Sequence, residues 1–325
     1  YIAVAKASVV QWRELRLSFV LRMVMRFAEF YAGTTGPHLS FELFPPKTDA
    51  AMASLRRVLP ELIDLRPSYM TVTYGAFGST RERTLEIAAL LKREYGMETA
   101  CHLTCVGSSR ADLDRLLDDI QRAGIENIVA LRGDPPRGET AFVAASDGYG
   151  HGNELVAHIR RRHGDGFGLA VAGYPEKHLE SLDRASDLRH FTNKVNAGAD
   201  IVITQLFYDN VDFFSFVDAA RALGVTRPII PGLLPVLSAK QVRRITSLCG
   251  SKIPAALQAD LEAAGDDDGR AEEVGIRQCV AQASELLRRG VPGIHFYVLN
   301  KSSHMRRIMA QLRSVLAEVR RKPAR

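Results

Sequence analysis

The chain has 325 residues, of which 46% are hydrophobic and 25% charged, and four are cysteines. This is globular composition, long enough to bury its own core and too poor in cysteine for a disulfide framework, which points to a reducing, cytoplasmic setting. The formal charge of +6 sits at the ends: residues 1–24 carry +3 and residues 301–325 carry +7, leaving −4 between them. The basic excess is therefore read as solvated termini, not as a nucleic-acid-binding face.

In chain order, the first segment is "VVQWRELRLSFVLRMVMRF" (9–27), apolar but interrupted by Arg13, Glu14, Arg16, Arg22 and Arg26. The interruptions are too frequent for a membrane span or a signal-peptide core. A mitochondrial-type presequence or a membrane-surface helix is the rival to a leader without a folded role. Residues 1–24 are read as such a leader, with the folded domain running over 25–325. "LSFELF" (39–44) opens the β-rich runs, followed by "YMTVTYG" (69–75), "TACHLTC" (99–105), "NIVALRG" (127–133), "GLAVAGY" (168–174), "DIVITQLF" (200–207), "PIIPGLL" (228–234) and "GIHFYVL" (293–299). β-branched and aromatic residues dominate most of them, as strands prefer.

Helical periodicity fills the intervals. The run at 49–65 repeats apolar residues at three- and four-residue steps, with Thr48 or Asp49 as N-cap and Pro60 as a point of kinking or division. The runs at 81–96 and 109–124 end on glycines suited to C-caps, and similar patterns follow over 153–164, 186–198, 211–224, 238–250, 275–290 and 302–319. Segment 251–273 is read as an insertion before the last strand, with Asp266–Asp268 as part of a polar connection since a calcium loop would need a later Glu. "GYGHG" (148–152) follows a loop, not a strand, and reads as a turn. Eight strands alternating with helices predict a single-domain α/β (β/α)8 TIM barrel with a helical insertion before the last strand; a doubly wound open sheet is the rival.

In such barrels the chemistry lies at the C-terminal ends of the strands. Those ends offer Glu42; Thr73 and Tyr74; His102 and Thr104; Arg132, Gly133 and Asp134; Tyr174, Glu176 and His178; Thr204, Gln205 and Tyr208; "PGLLP"; and His295, Tyr297 and Asn300. Strand alternation puts Glu42 on the face opposite Phe41 and Leu43. If helices cover those two, Glu42 points into the barrel mouth, and Pro45–Pro46 turn the chain outward. A carboxyl in that apolar setting is expected to have a raised pKa and to serve as a general acid, the alternative being an ion pair with a neighbouring Arg or Lys. His102 taken alone reads as a core histidine before it reads as a catalyst. Cys101 and Cys105 lie about 13 Å apart along a strand and cannot share a metal. No HExxH, paired CxxC or P-loop is present, so no metal site is expected.

Together, "SFELFPPKT", "VTYGA", "HLTC", "NIVALRGDPP", "AGYPEKH", "KVNAGAD", "ITQLFYD", "IIPGLLPV" and "HFYVLN" resemble, in order, the motifs of the methylenetetrahydrofolate reductase family, in its bacterial form without a regulatory domain; the likeness runs from about residue 25 to about 315. The resemblance implies a barrel that holds FAD non-covalently. It implies reduction of 5,10-methylenetetrahydrofolate to 5-methyltetrahydrofolate by NADH or NADPH, with ping-pong kinetics and a homo-oligomeric assembly. Residue by residue, it implies Glu42 as the general acid and Asp134 on the pterin near the flavin. Gln205, Gln241 and Lys301 would meet the folate, Gln205 also the nicotinamide, and Thr73 the nicotinamide nucleotide. Tyr74, Ala76, His102, Arg132, Gly133, Ala145, Tyr174, His178, Asp187 and Lys194 would hold FAD. Lys301 stands where many members carry Arg, and His190 and Asn193 where bacterial relatives carry other polar or basic contacts. The rival readings are a flavin or folate subunit fed by an iron–sulfur partner, and a folate-binding module without catalysis.

Overall fold

In the computed structural model, residues 25–33, 36–74, 81–135 and 142–321 are described. The proposed leader and Ala76 lie outside them. Eight parallel strands close into a barrel in sequence order: β1 (His38–Leu43), β2 (Tyr69–Val72), β3 (Thr99–Thr104), β4 (Asn127–Leu131), β5 (Gly168–Gly173), β6 (Ile201–Leu206), β7 (Ile229–Leu233) and β8 (Gly293–Tyr297). Every strand expected from the sequence is present, and closure of β8 onto β1 settles the barrel against the open sheet.

The helices between the strands follow the expected pattern. They are α2 (Asp49–Ile63), α3 (Arg81–Tyr95), α4 (Arg110–Arg122), α5 (Gly152–His163), α6 (Arg184–Asn196), α7 (Asn210–Ala222) and α8 (Ala239–Cys249). Thr48 caps α2 by accepting from the Ala51 N–H at 3.2 Å. Pro60 neither ends nor divides α2, which runs on to Ile63. Phe41 and Leu43 are fully buried against Leu55, Leu59 and Leu62 of that helix. Each such burial stabilises the fold by about 1.5–3 kcal/mol, and it fixes the opposite parity, Ser40 and Glu42, as the barrel interior.

The expected helical insertion before the last strand is present: it consists of α9 (Ala255–Ala264) and the first turns of α10 (Asp268–Arg288), with Asp266 and Asp267 as the polar connection between them, and β8 and α11 (Ser303–Arg321) follow. α10 begins earlier than the run at 275–290 suggested. Leu257, Leu261, Ala271 and Val274 bury themselves against Leu206, Tyr208, Leu234 and Val236, so the apolar residues spaced among the acids carry the signal. Within the acidic run Asp267 acts as an N-cap, accepting from the Arg270 N–H at 3.1 Å. At the other end, α1 (Phe27–Ala32) plugs the floor of the barrel. The Phe27 N–H donates to Asn127 Oδ1 at 2.8 Å, and Asn127 Nδ2 donates to the Met25 carbonyl at 2.9 Å. Gly168 permits this approach, because a Cβ there would lie 2.4 Å from Asn127 Oδ1 and 2.7 Å from the Phe27 nitrogen.

The floor is also tied by Arg160 of α5. Its guanidinium donates to the carbonyls of Gly198 (2.8 Å), Gly164 (3.0 Å) and Phe167 (2.7 Å) and to Asp200 Oδ2 (2.7 Å). Asp200 in turn accepts from the Leu169 N–H at 2.7 Å. One side chain thus satisfies three backbone acceptors at the start of β5 and β6. Arg160→Ala leaves them and Asp200 partly unpaired and is expected to lower the unfolding free energy by about 2–3 kcal/mol, read as a fall in the urea midpoint at unchanged slope.

Candidate active site

Two clusters of functional groups stand on the C-terminal rim. The first is built on β1, β2, β3 and β8. Glu42 is buried, and His102 Nε2 (3.2 Å), His295 Nε2 (3.3 Å) and Thr71 Oγ1 (3.4 Å) all converge on its Oε2. The barrel register explains the meeting, since Glu42 pairs with Thr71 on one side and with Tyr297 on the other. His295 and Tyr297 share the inward parity of β8, and the Tyr297 hydroxyl donates to the Thr204 carbonyl at 2.7 Å.

The expected rise in the Glu42 pKa is corrected here. Burial does push the carboxyl up, but the charge and hydrogen bond of His102, followed by those of His295, outweigh it and hold the group at about 2. The partners are imidazoles, not the Arg or Lys of the alternative reading. His295 was legible as a strand-end polar residue, but its role was not assigned; the parity argument that selected Glu42, applied to β8, would have selected it.

The second cluster is built on the loops after β4 and β5 and on α6. Arg132 is locked to Glu180 by two hydrogen bonds of 2.5 and 2.7 Å and lies over the Phe142 ring at 4.9 Å. Gly133 has φ +91, and a Cβ there would lie 2.7 Å from Val106, so this turn accepts only glycine. Tyr174 packs edge-on against His178 at 4.6 Å, and the Lys194 ammonium sits 5.5 Å from the Tyr174 ring centroid. Asp187 is buried and accepts from Ser181 Oγ at 2.8 Å. Burial lowers the Lys194 pKa to about 8, with Asp187 opposing the shift, and Lys194 makes no ion pair among the described residues. Glu180 is an addition from the structure; as an exposed glutamate four residues past Glu176 it carried no sequence signal.

The remaining expected residues are more loosely placed. Thr73 and Tyr74 lie half-buried just past β2, and Ala145 lies half-buried on the approach to α5. Asp134 is exposed, near enough to Arg132 and Tyr174 to influence both. Gln205 sits where the β6–β7 register shifts between Ile203 and Leu206, and its Oε1 accepts from the Leu206 N–H at 2.9 Å, filling the gap in the ladder. Gln241 is half-buried in the first turn of α8, and Lys301 is exposed beyond β8. His190 and Asn193 face solvent on α6. Cys101, Cys105 and Cys279 are buried thiols pushed up to about 12, 11 and 12, unsuited to nucleophilic work. Among the described residues no group of three His, Cys, Asp or Glu side chains could hold a metal, and no helix is long and apolar enough to cross a membrane.

These features define a (β/α)8-barrel protein whose ionisable groups gather at the mouth, with a buried carboxylate on one side and a cationic cleft on the other. The chain belongs to the methylenetetrahydrofolate reductase family, whose profile matches residues 28–313. It is 40% identical over 270 residues to methylenetetrahydrofolate reductase (NADH) 1 of Arabidopsis thaliana, covering 80% of this chain and 46% of that protein. To 5,10-methylenetetrahydrofolate reductase of Pectobacterium carotovorum subsp. carotovorum it is 35% identical, covering 82% of this chain and 86% of that one. The chain thus spans about half the length of the plant relatives it matches. Among solved structures, an uncharacterized Clostridium thermocellum protein described as binding two copies of 5-methyl-5,6,7,8-tetrahydrofolic acid superposes with a TM-score of 0.58. It is 16% identical and covers 87% of this chain and 96% of that one, a likeness of fold.

The rim of the first cluster is closed by Asn300. The Phe44 N–H donates to its Oδ1 (2.9 Å) and its Nδ2 donates to the Phe44 carbonyl (2.7 Å), while Leu299 and Asn300 hold φ +52 and +55. The carboxamide extends the β1–β8 ladder by one step past Glu42, where Pro45 can offer no N–H. Asn300→Ala loses both bonds and strains the left-handed turn, an expected cost of about 2 kcal/mol. Asn300→Gly keeps the turn conformation and is expected to recover about 1 kcal/mol of it, measured by urea unfolding of both variants.

Proposed function

We propose that this protein reduces 5,10-methylenetetrahydrofolate to 5-methyltetrahydrofolate, with non-covalently held FAD and electrons from NADH or NADPH. The single observation that carries the reading is Glu42, a buried carboxyl aimed into the barrel mouth and flanked by two imidazoles. Membership of the family supports the reaction, and the naming of the plant relatives favours NADH. Assembly as a homo-oligomer in the cytoplasm belongs to the same reading.

The second cluster fits the cofactor. A half-buried lysine without an ion pair among the described residues, beside a tyrosine ring and near Arg132, would be completed by a diphosphate. Lys194 and Arg132 would take the phosphates, and Asp187, Tyr174, His178, Gly133, Ala145, Tyr74 and Ala76 the rest of FAD. The chemistry such a cofactor would supply is hydride transfer, from the nicotinamide to the folate methylene carbon.

The chain's own work is to bind, orient and protonate. Opening of the five-membered ring breaks the bond from N10 to the methylene carbon and leaves an N5 iminium; Glu42 delivers the proton that N10 gains. Asp134, exposed and without a hydrogen bond among the described residues, would bond the pterin. Gln205, whose carboxamide is held among the described residues by its neighbour's N–H, would exchange that bond for folate or nicotinamide, while Gln241 and Lys301 would reach the folate and Thr73 the nicotinamide nucleotide. The ionised state of Glu42 in the open site is reversed on occupation. Covering the mouth would exclude water and strengthen the burial effect that already opposes the imidazoles, and His102 would be among the residues that hold FAD.

Two outcomes test this. Glu42→Gln is expected to slow folate-driven flavin reoxidation by at least about a hundredfold while flavin reduction by NADH continues. Survival of the folate step in that variant removes the acid assignment. Binding of the cofactor carries a pH signature with a definite sign. The ammonium form of Lys194 attracts the diphosphate and is lost as pH rises through about 8, so FAD affinity is expected to fall above that pH, by up to about tenfold per unit. Lys194→Met, titrated with FAD by fluorescence quenching, is expected to bind weakly with that fall abolished.

A further inference from the structure

A buried hydrogen-bonded relay stands outside both clusters, and the chemistry above does not use it. It joins Tyr149, in the segment that leads into α5, to His158 on α5 and Asp114 on α4. The Tyr149 hydroxyl oxygen lies 2.9 Å from His158 Nδ1, and His158 Nε2 lies 3.0 Å from Asp114 Oδ1. Tyr149 and His158 are buried. Arg161 Nη2 donates to the Tyr149 hydroxyl oxygen at 3.2 Å, the Arg110 guanidinium lies over the Tyr149 ring at 5.1 Å, and Arg162 Nε approaches Asp114 at 3.4 Å.

One proton order satisfies every member of the relay. A carboxylate only accepts, so His158 Nε2 carries the ring proton and donates to Asp114. His158 Nδ1 is then an acceptor, and it takes the Tyr149 O–H. The phenol oxygen is left to accept from Arg161. Removing any member leaves a buried polar partner unmade, which is the costly kind of loss. The relay therefore ties the lead-in of α5 back along that helix and across to α4.

What it ties borders the cationic cleft at both ends. Gly152, the first residue of α5, is buried three positions after Tyr149. A Cβ on Gly152 would lie 3.5 Å from the Arg132 backbone nitrogen and 3.6 Å from Lys194 Cδ, so the first turn of α5 packs against the stem of Lys194. At the other end of the segment, the Phe142 ring lies 4.9 Å from the Arg132 guanidinium. Between them the Gly148 N–H donates to the Ala145 carbonyl at 2.9 Å, and a Cβ on Gly148 would lie 2.5 Å from the Ser108 carbonyl oxygen. We propose that Tyr149, held by His158 and Asp114, is a positioning residue for the cofactor: it keeps segment 142–152 closed around Arg132 and seats α5 against Lys194. The inference rests on the reading of that cleft as the FAD site. A cleft already in its bound shape takes its ligand without the cost of ordering it, so the relay acts on affinity and not on the chemical steps.

The test is titration of the flavin-free full chain with FAD, read by quenching of flavin fluorescence, beside urea unfolding of the same preparations. Tyr149→Phe keeps the ring under Arg110 and removes one oxygen. It is expected to raise the FAD Kd about fivefold to tenfold, while flavin reduction by NADH at saturating FAD proceeds at the wild-type rate. In a His158→Phe background Tyr149→Phe is expected to change the Kd no further, since the acceptor of its proton is gone. A Tyr149→Phe Kd within twofold of wild type, whether or not the urea midpoint falls, overturns this inference; if Lys194→Met binds weakly in the same assay, the reading of the cleft stands. A Tyr149→Phe effect that persists in full without His158 overturns it as well. Lys194→Met binding FAD as tightly as wild type instead overturns the reading on which both depend.

Discussion

The pairing of β1 with β8 is the contact on which both the barrel and its site depend. It joins residues more than 250 positions apart in the chain, from His38 opposite Gly293 to Glu42 opposite Tyr297, and every other strand pair is between sequence neighbours. Gly293 admits the first pair, since a Cβ there would lie 2.3 Å from the His38 carbonyl oxygen. Asn300 continues the seam past the last pair with its side chain. Because β strands alternate faces, a slip of one residue in this seam would send Glu42 into the helical layer and Phe41 into the mouth. The register that closes the barrel is therefore the register that sets the carboxyl between two imidazoles.

That position makes two opposed demands. Removal from water favours the neutral carboxylic acid, while Nε2 atoms at 3.2 and 3.3 Å favour the carboxylate. In the open site the imidazoles win. The balance is adjustable because each histidine has a second nitrogen or a second partner. His295 is held through Nδ1 by Ser40, and His102 stands on the strand nearest the cationic cleft. A lysine or arginine in either place would hold Glu42 ionised permanently, since neither can turn from donor to acceptor. Imidazoles leave the charge of Glu42 open to whatever covers the mouth.

Most of the fold was legible in the sequence because its elements are strongly periodic. Eight β-rich runs, spaced by helical patterns, allow few other parallel architectures, and the alternation in "LSFELF" placed Glu42 inward correctly. Asp266–Asp268 was legible as a polar connection, but the start of α10 at Asp268 was not, because Ala271 and Val274 are spread among charges and find their partners only on β6 and the β7 loop. Pro60, read as a point of kinking or division, does not divide its helix, because the loss of one N–H in the last turns of a well-packed helix does not stop it. Within the site, the residue types were legible and their pairings were not. A carboxyl in an apolar run predicts a raised pKa only if nothing charged lies opposite, and what lies opposite is decided by a strand at the far end of the chain. Glu180 is the clearer case, for an exposed glutamate in a loop becomes a partner only when β4 and β5 bring its loop beside Arg132.

The two cations of the cleft stand in different states of readiness, and that difference bears on how an anion would be taken up. Arg132 is already satisfied by a bidentate carboxylate with an exposed side. An incoming phosphate must displace Glu180, so the gain from Arg132 is a difference between two similar bonds and is small. Lys194 is the reverse. Its charge is partly withdrawn from water without an ion pair among the described residues, and the desolvation lowers its pKa to about 8. An anion arriving there recovers an energy that the fold has already invested, and does so without displacing a partner. On the proposed reading, the affinity for a diphosphate would be concentrated at Lys194, while Arg132 and Glu180 would supply an exchangeable latch at the rim, and the two positions are separated in sequence by the whole of α5, β5 and most of α6.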